Sequence, residues 1–172
     1  MKDNIVKLET ARSKRVRFKN WLGMPAEKYA IIEQAAKIID EYDGYSAGPR
    51  ITQPRDAYDY LKVRIGSLPH EVFVCMFLDN LRRVVAVEEM FRGTIDGANV
   101  HPREVVVEAL HHGATAVILA HNHPNGQRSP SACDHEITKS LVSALGTVGI
   151  LVLDHIIVGH GEPVSMATLG LM

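Results

Sequence analysis

The stretch that spans residues 115–134 constrains the fold of this chain more than any other part of it. An apolar run ends at His121 and His123, and a loop rich in Pro, Asn and Gly follows. Ser131 and Asp134 then have the Ser-x-x-acid spacing of a capping box at the start of a helix, with Asp in place of the more usual Glu. The pattern predicts a strand, a turn and a helix that bring three candidate metal ligands to one junction.

The rest of the chain alternates between patterns typical of strands and patterns typical of helices. The continuous apolar run Val72–Leu78 indicates a strand buried on both faces, and residues 83–91 predict its antiparallel partner. Further elements are predicted, in chain order, at residues 56–65, 102–112, 131–145, 149–153 and 156–158. Because helices and strands alternate without a uniform rhythm, we predict an α/β sandwich built on a mixed sheet.

Composition divides the chain near residue 50. Residues 1–22 hold seven Lys or Arg against two acidic residues, and an amphipathic helical pattern follows them. Residues 45–54, with two Pro, a Gly and a Ser, have the composition of a linker. We therefore predict a basic arm and amphipathic helix over residues 1–50 and one α/β domain over residues 51–172.

Length and composition narrow the class of protein. With 172 residues and 46% apolar content, the chain can bury one core of ordinary size. Two cysteines do not indicate a disulfide framework, and no apolar run approaches the roughly 18 residues that span a bilayer. We expect a cytoplasmic protein with no membrane partner. A net charge of −1 leaves the basic arm as the one feature that favours nucleic acid.

The two histidines and Asp134 are residue types that bind zinc. A catalytic zinc ion takes three protein ligands from His, Asp, Glu or Cys and keeps one position for water. His121 and His123 alternate at the end of a strand, so their side chains point to the same side. Asp134 can return to that side from the first turn of the next helix. The bound ion would lower the pKa of its water to about 7, which makes hydroxide available for hydrolysis.

A hydrolase of this kind also needs a general base, and a carboxylate is suited to that role. The carboxylates near predicted strand ends are Glu71, Glu88, Glu89 and Asp154. Glu71 has one advantage, since it directly precedes a buried strand that we expect beside the strand at residues 115–120. Ser131 could donate a hydrogen bond to a developing oxyanion.

Other polar residues have alternative interpretations at this stage. His155 and Asp154 either orient a metal ligand or close a strand junction with a structural hydrogen bond. Arg92 and Arg103 are either substrate contacts or surface charges. We interpret Cys133 as a residue that packs the helix rather than as a ligand.

The spacing His121-x-His123, seven residues, Ser131-x-x-Asp134 resembles the JAMM (MPN+) metalloprotease motif. Four stretches are similar to the RadC branch of that superfamily over residues 56–172. They are Phe-Arg-Gly-Thr at 91–94, His-Pro-Arg-Glu at 101–104, His-Asn-His-Pro at 121–124 and Leu-Asp-His-Ile-Ile-Val-Gly at 153–159. The resemblance implies a cytidine-deaminase-like α/β sandwich with a mixed central sheet, preceded here by an N-terminal helical extension.

The resemblance also implies roles for individual residues. The zinc ligands would be His121, His123 and Asp134, with Glu71 as the acid/base and Ser131 in support of the oxyanion. The implied activity is a zinc-dependent hydrolase that cleaves peptide or isopeptide bonds in an unknown protein or peptide substrate.

Two alternatives to this activity stay open. Full-length RadC relatives carry a helix-hairpin-helix-like region before the JAMM domain, and this chain is expected to be a short form without a full version of it. The family's link to DNA repair and mobile elements implies an accessory protein that binds DNA through residues 1–22. A metal-binding interaction module without catalysis is the third interpretation, and the intact ligand set argues against it.

Overall fold

The computed structural model of the protein describes residues 48–93 and 100–172, together with three helical positions, Ile31, Gln34 and Ile38. Ile31 and Ile38 belong to the apolar pattern of the predicted N-terminal helix, yet both are exposed among the described residues. The remainder of that helix and the basic arm lie outside the described residues. The division of the chain near residue 50 therefore stays a prediction.

From residue 48 onward, the described residues form three helices and five strands. The helices are α1 (Pro54–Ile65), α2 (Pro102–His111) and α3 (Ala132–Thr147). The strands are β1 (Val72–Leu78), β2 (Val84–Arg92), β3 (Ala116–Asn122), β4 (Leu151–Val158) and β5 (Val164–Ser165). Within the part of the chain that the structure describes, no helix is long and apolar enough to cross a membrane.

The strands form one mixed sheet in the order β2-β1-β3-β4-β5. β3 and β4 are parallel because α3 connects them as a crossover, and the other neighbouring pairs are antiparallel. β1 lies beside β3, as the sequence predicted. The predicted α/β class with a mixed central sheet is confirmed.

Helices cover both faces of this sheet, which explains why β1 is apolar without interruption. Val74 and Met76 pack against the core that α1 closes, whereas Phe73 and Cys75 pack against the core of α2 and α3. Every residue of β1 is buried, and so is every residue of β3. A strand buried on both faces reads as a continuous apolar run.

β4 corrects one prediction from the sequence. The strands expected at residues 149–153 and 156–158 are a single strand that passes through Asp154 and His155. The register shifts inside it, because Val117 pairs with Val152 whereas Ile118 pairs with Asp154. The prediction of two strands was wrong. Asp154 and His155 stay within one strand because their side chains have hydrogen-bond partners in the interior of the domain and need no exposed loop.

The helix α3 offers a direct test of this packing. Leu141 is fully buried, whereas the adjacent Val142 is 40% exposed. We expect Leu141→Ala to lower the free energy of unfolding by about 2–5 kcal/mol, because it leaves a cavity in the core. Val142→Ala, the matched control, should change it by less than about 0.5 kcal/mol. Urea denaturation of the metal-free protein, followed by circular dichroism, measures both values, and equal effects would contradict the packing described for α3.

Candidate metal centre

Three side chains with metal-binding chemistry converge where β3 ends and α3 begins. The Nε2 atom of His121 lies 2.9 Å from Nε2 of His123 and 3.1 Å from Oδ1 of Asp134. The Nε2 atom of His123 lies 3.7 Å from Oδ2 of Asp134. A tetrahedral zinc ion with ligands about 2.0–2.2 Å away would place its donor atoms about 3.3–3.6 Å apart. The observed spacings of 2.9–3.7 Å bracket this range, with each Asp134 oxygen nearest a different histidine, and these residues form a group able to hold a small cation.

The pleat of β3 sets the direction of the histidines. His121 lies on the sheet face that α2 and α3 cover, where its ring stacks on Phe73 at 6.3 Å between centroids. His123 follows two residues later, and its ring is 4.7 Å from that of His121. Because side chains alternate along a strand, the intervening Asn122 points to the opposite face.

The start of α3 orients the carboxylate. The Ser131 backbone N–H donates to Oδ2 of Asp134 at 2.7 Å, and the Asp134 backbone N–H donates to the Ser131 hydroxyl oxygen at 3.2 Å. These two bonds are the predicted capping box. They hold the Asp134 carboxylate with Oδ1 toward His121, so the residues that begin the helix also position a candidate ligand.

A backbone carbonyl determines which nitrogen of His123 faces the site. Nδ1 of His123 lies 3.1 Å from the Gln127 carbonyl oxygen, which can only accept a hydrogen bond. Nδ1 therefore carries the hydrogen, and the neutral ring presents the lone pair of Nε2 toward His121 and Asp134. Lone pairs that converge in this way are stabilised by a cation between them.

The loop after His123 is packed tightly against the end of β4. Gly126 has a φ of +81°, and a Cβ atom there would lie 2.3 Å from the His160 ring. A Cβ atom at Gly159 would lie 2.3 Å from the Gln127 carbonyl oxygen. Glycine at both positions lets the loop approach closely enough for the Gln127 carbonyl to meet His123.

The electrostatics favour a charged Asp134. Burial alone raises the pKa of the Asp134 carboxyl, but hydrogen bonds and charge attraction from His121, together with the bonds from Ser131, outweigh it. The net effect holds the pKa of Asp134 well below its usual range. The carboxylate is therefore ionised and available to a cation throughout the neutral range.

Glu71 adjoins this site from the neighbouring strand. Phe73 pairs with His121 at the end of the antiparallel register of β1 and β3, and Glu71 precedes Phe73 by two residues. The pKa of His123 is lowered by burial and by the charge of His121, while Asp134, the Gln127 carbonyl and the charge of Glu71 act in the opposite direction. The charge of Glu71 therefore acts on the candidate ligand His123.

The other carboxylates considered as general bases have different partners. Glu88 lies 3.7 Å from Nε2 of His112, and Glu89 forms an ion pair with Arg92 at 2.7 Å. Asp154 accepts hydrogen bonds from the backbone N–H groups of its neighbour His155 and of Ala167. These three carboxylates therefore have partners other than the candidate ligands.

Asn122 is a site residue that sequence reasoning missed. Its Oδ1 accepts from the Val72 N–H at 2.8 Å, and its Nδ2 donates to the carbonyl oxygens of Leu68 and His70 at 3.2 and 3.1 Å. These bonds fix the segment that leads into Glu71. The available signal was a polar residue inside a strand buried on both faces, because such a residue needs partners.

His155 and Thr138 form a buried polar contact behind the ring of His121. Nε2 of His155 lies 2.8 Å from Nδ1 of His121, and Nδ1 of His155 contacts the Thr138 hydroxyl. Of the two interpretations of His155, this contact supports the one in which it orients a ligand. Thr138 was not singled out from the sequence.

The interpretation of Cys133 as a packing residue was wrong, because its side chain is exposed.

Comparison with known proteins agrees with this fold. The α/β domain is of the JAB type, since residues 51–171 match the family described as RadC-like JAB domain. A UPF0758 protein of Nitrosococcus oceani is 56% identical over 154 residues, which cover 87% of this chain and 68% of that protein. A UPF0758 protein of Marinobacter nauticus is 50% identical over 147 residues, covering 86% and 65%. The chain belongs to the RadC-like JAB domain family and spans about two thirds of the length of these curated relatives.

Burial of His155 gives a prediction about pH. Burial, together with the charges of His121 and His123, lowers the pKa of His155 from 6.5 to about 3, against the opposing charge of Asp134. Between these values the unfolded chain binds more protons than the folded one, so stability falls as the pH decreases. We expect the free energy of unfolding of the metal-free protein to decline from about pH 6.5 downward.

Urea titrations across this pH range measure the effect. His155→Gln should make the decline shallower, whatever its own stability, because the group that takes up the proton is absent. His111→Gln, which removes an exposed histidine, is the matched control and should leave the slope unchanged. An identical slope in the wild type and in His155→Gln would contradict the prediction.

Proposed function

We propose that the protein is a zinc-dependent hydrolase of the JAMM type that cleaves peptide or isopeptide bonds by means of an activated water. The observation that carries the proposal is the convergence of His121, His123 and Asp134 with spacing suited to a small cation. Membership of the JAB family supports it, because that family includes hydrolases.

The chemistry of the donors supports zinc as the ion. Two imidazole nitrogens and one carboxylate oxygen are a ligand set that zinc takes in catalytic sites. A bound zinc ion would polarise the carbonyl of the scissile bond and lower the pKa of a bound water to about 7. His121, His123 and Asp134 would hold the ion, and three protein ligands leave one position for water.

Glu71 would move the proton in this reaction. Its carboxylate takes a proton from the attacking water and returns it to the nitrogen of the leaving amine. The Asn122 side chain fixes the backbone on both sides of Glu71, through its bonds to His70 and Val72. A carboxylate at the end of a rigid strand can act on the same water in both steps.

Ser131 would stabilise the oxyanion. Its hydroxyl oxygen accepts the helix-capping bond from the Asp134 N–H, which leaves the hydroxyl hydrogen for a bound group. Ser131 is exposed at the N-terminus of α3, where the helix dipole also favours negative charge. The hydroxyl would donate a hydrogen bond to the oxyanion that develops on the substrate carbonyl.

The role of Glu71 is tested by Glu71→Gln. We expect this variant to bind one equivalent of zinc as the wild type does, because Glu71 is not a ligand. Its turnover should fall by about 10²–10⁴-fold, because the amide cannot accept the proton. Elemental analysis gives the zinc content, and a screened library of peptides and isopeptide-linked peptides gives a substrate for the rate measurement.

Two controls sharpen this test. Glu89→Gln removes a carboxylate that pairs with Arg92 and should leave turnover near the wild-type value. Asp134→Asn should lose both zinc and activity. Full activity of Glu71→Gln would refute the assigned role, and a wild type that binds zinc but cleaves no substrate would favour the interaction module without catalysis.

We also propose, as a second candidate, that the basic arm binds DNA. The seven Lys or Arg within residues 1–22 support it, although this segment lies outside the described residues. Binding through phosphate neutralisation should weaken steeply as salt rises. Fluorescence anisotropy with a labelled duplex should show this dependence for the wild type and its loss when the seven basic residues are replaced by Gln. Equal affinity of the two proteins would refute the proposal.

A further inference from the structure

We propose that His155 is a positioning residue that, together with Thr138, holds His121 with its hydrogen on Nδ1 and its Nε2 lone pair toward the metal. This inference rests on the proposed function, because it assigns a role in preparing the zinc site. The contact itself joins three buried side chains, since His121 is 1% exposed, Thr138 1% and His155 0%.

Asp134, Thr138, His155 and His121 are joined by a series of hydrogen bonds. The direction of each bond follows from the Asp134 carbonyl group at one end of the series. The carbonyl oxygen of Asp134 can only accept, and the Thr138 hydroxyl donates its single hydrogen to it. The Thr138 oxygen must therefore accept from Nδ1 of His155. A neutral imidazole carries one hydrogen, so Nε2 of His155 must accept as well. Across the 2.8 Å contact, Nδ1 of His121 is then the donor.

The neutral state of His155 follows from its surroundings. Its ring nitrogens contact a hydroxyl and another imidazole, and its ring packs edge-on against Phe73 at 5.5 Å between centroids. A charged imidazolium without a carboxylate at either nitrogen is costly in such a buried position. The neutral ring has one donor and one acceptor, and both have partners.

The irregularity in β4 is what brings His155 to this site. Val152 packs with the core of α2 and α3, whereas Ile156 packs with the core of α1 although it lies an even number of residues later. The extra residue at the register shift reverses the alternation, so His155 pairs with Leu119 and shares its face. A regular strand would have turned His155 toward α1 and away from His121.

The chain of bonds links two candidate ligands to each other. It begins at the backbone carbonyl of Asp134 and ends at the ring of His121. A shift of either ligand would therefore alter the hydrogen bonds that hold the other. A His121 ring in the opposite tautomer would present an N–H group to the ion instead of a lone pair. Partners of this kind set the orientation and basicity of a ligating histidine.

Nitrogen-15 NMR of the histidine-labelled full chain tests the direction of the bonds. In both the metal-free and the zinc-loaded protein, we expect Nδ1 of His121 and Nδ1 of His155 to carry hydrogen and Nε2 of His155 to carry none. An unprotonated Nδ1 in His121 would overturn the inference. Because the metal-free spectrum is decisive, this arm does not depend on zinc binding.

Zinc affinity, measured by competition with a chromophoric chelator, tests the consequence. His155→Phe keeps the ring volume but cannot accept a hydrogen bond, and Thr138→Val keeps the shape but lacks the hydroxyl. We expect each to bind zinc about 10–100-fold more weakly than the wild type. His155→Gln and Thr138→Ser, which can donate and accept in the same directions, should stay close to the wild type.

The outcomes separate this inference from the proposed function. If all four variants bind zinc as the wild type does, His155 and Thr138 do not position His121 and the inference is overturned. If the affinity follows residue volume rather than hydrogen bonding, so that Phe is tolerated and Gln is not, it is also overturned. If the wild type binds no zinc, the proposed function fails, and the metal-free NMR spectrum still decides the inference. Unfolding curves check each variant, and the Thr138 pair decides if His155→Phe does not fold.

Discussion

Two polar side chains buried at the end of β3 determine much of the surrounding structure. His121 and Asn122 are each 1% exposed, on opposite faces of a sheet that is covered on both sides. Because an unpaired polar group in such a place costs free energy, both need partners from other elements. Asn122 finds them in the backbone before β1, and His121 finds one in His155 on β4. The site is therefore tied to both neighbouring strands.

These partners give the site its rigidity. The carboxylate of Asp134 is held by the backbone of Ser131 in a capping box, rather than by flexible side chains. His123 is held by the Gln127 carbonyl, and the approach of that loop depends on Gly159. Each candidate ligand thus has one atom toward the common centre and another bonded to the protein framework. A site organised in this way needs little rearrangement when a cation binds.

Sequence patterns predicted the parts of the structure that depend on local chemistry. The continuous apolar runs of β1 and β3 and the Ser-x-x-Asp cap of α3 lie where they were expected. Asn122 and Thr138 could not be assigned, because their roles depend on partners 50 and 17 residues away in the chain. The irregularity in β4 was missed for the same reason. It consists of a shift in the pairing with β3, from Val117–Val152 to Ile118–Asp154, which no local pattern of residues reveals.

The same arrangement ties the stability of the domain to its ligand. The Nε2 atoms of His121 and His123 lie 2.9 Å apart, and each is within 3.7 Å of one oxygen of the Asp134 carboxylate. Neutral histidines there would turn lone pairs toward a negative oxygen, which is unfavourable unless a proton or a metal ion lies between them. A cation that binds only the folded state would remove this repulsion and stabilise the domain by mass action. The buried bonds to Asn122, His155 and the cap of α3 oppose large movements of the donor atoms, so this repulsion is relieved most directly by a cation. The bonds that hold the donors in position for a metal therefore also make part of the stability of the domain depend on a bound cation.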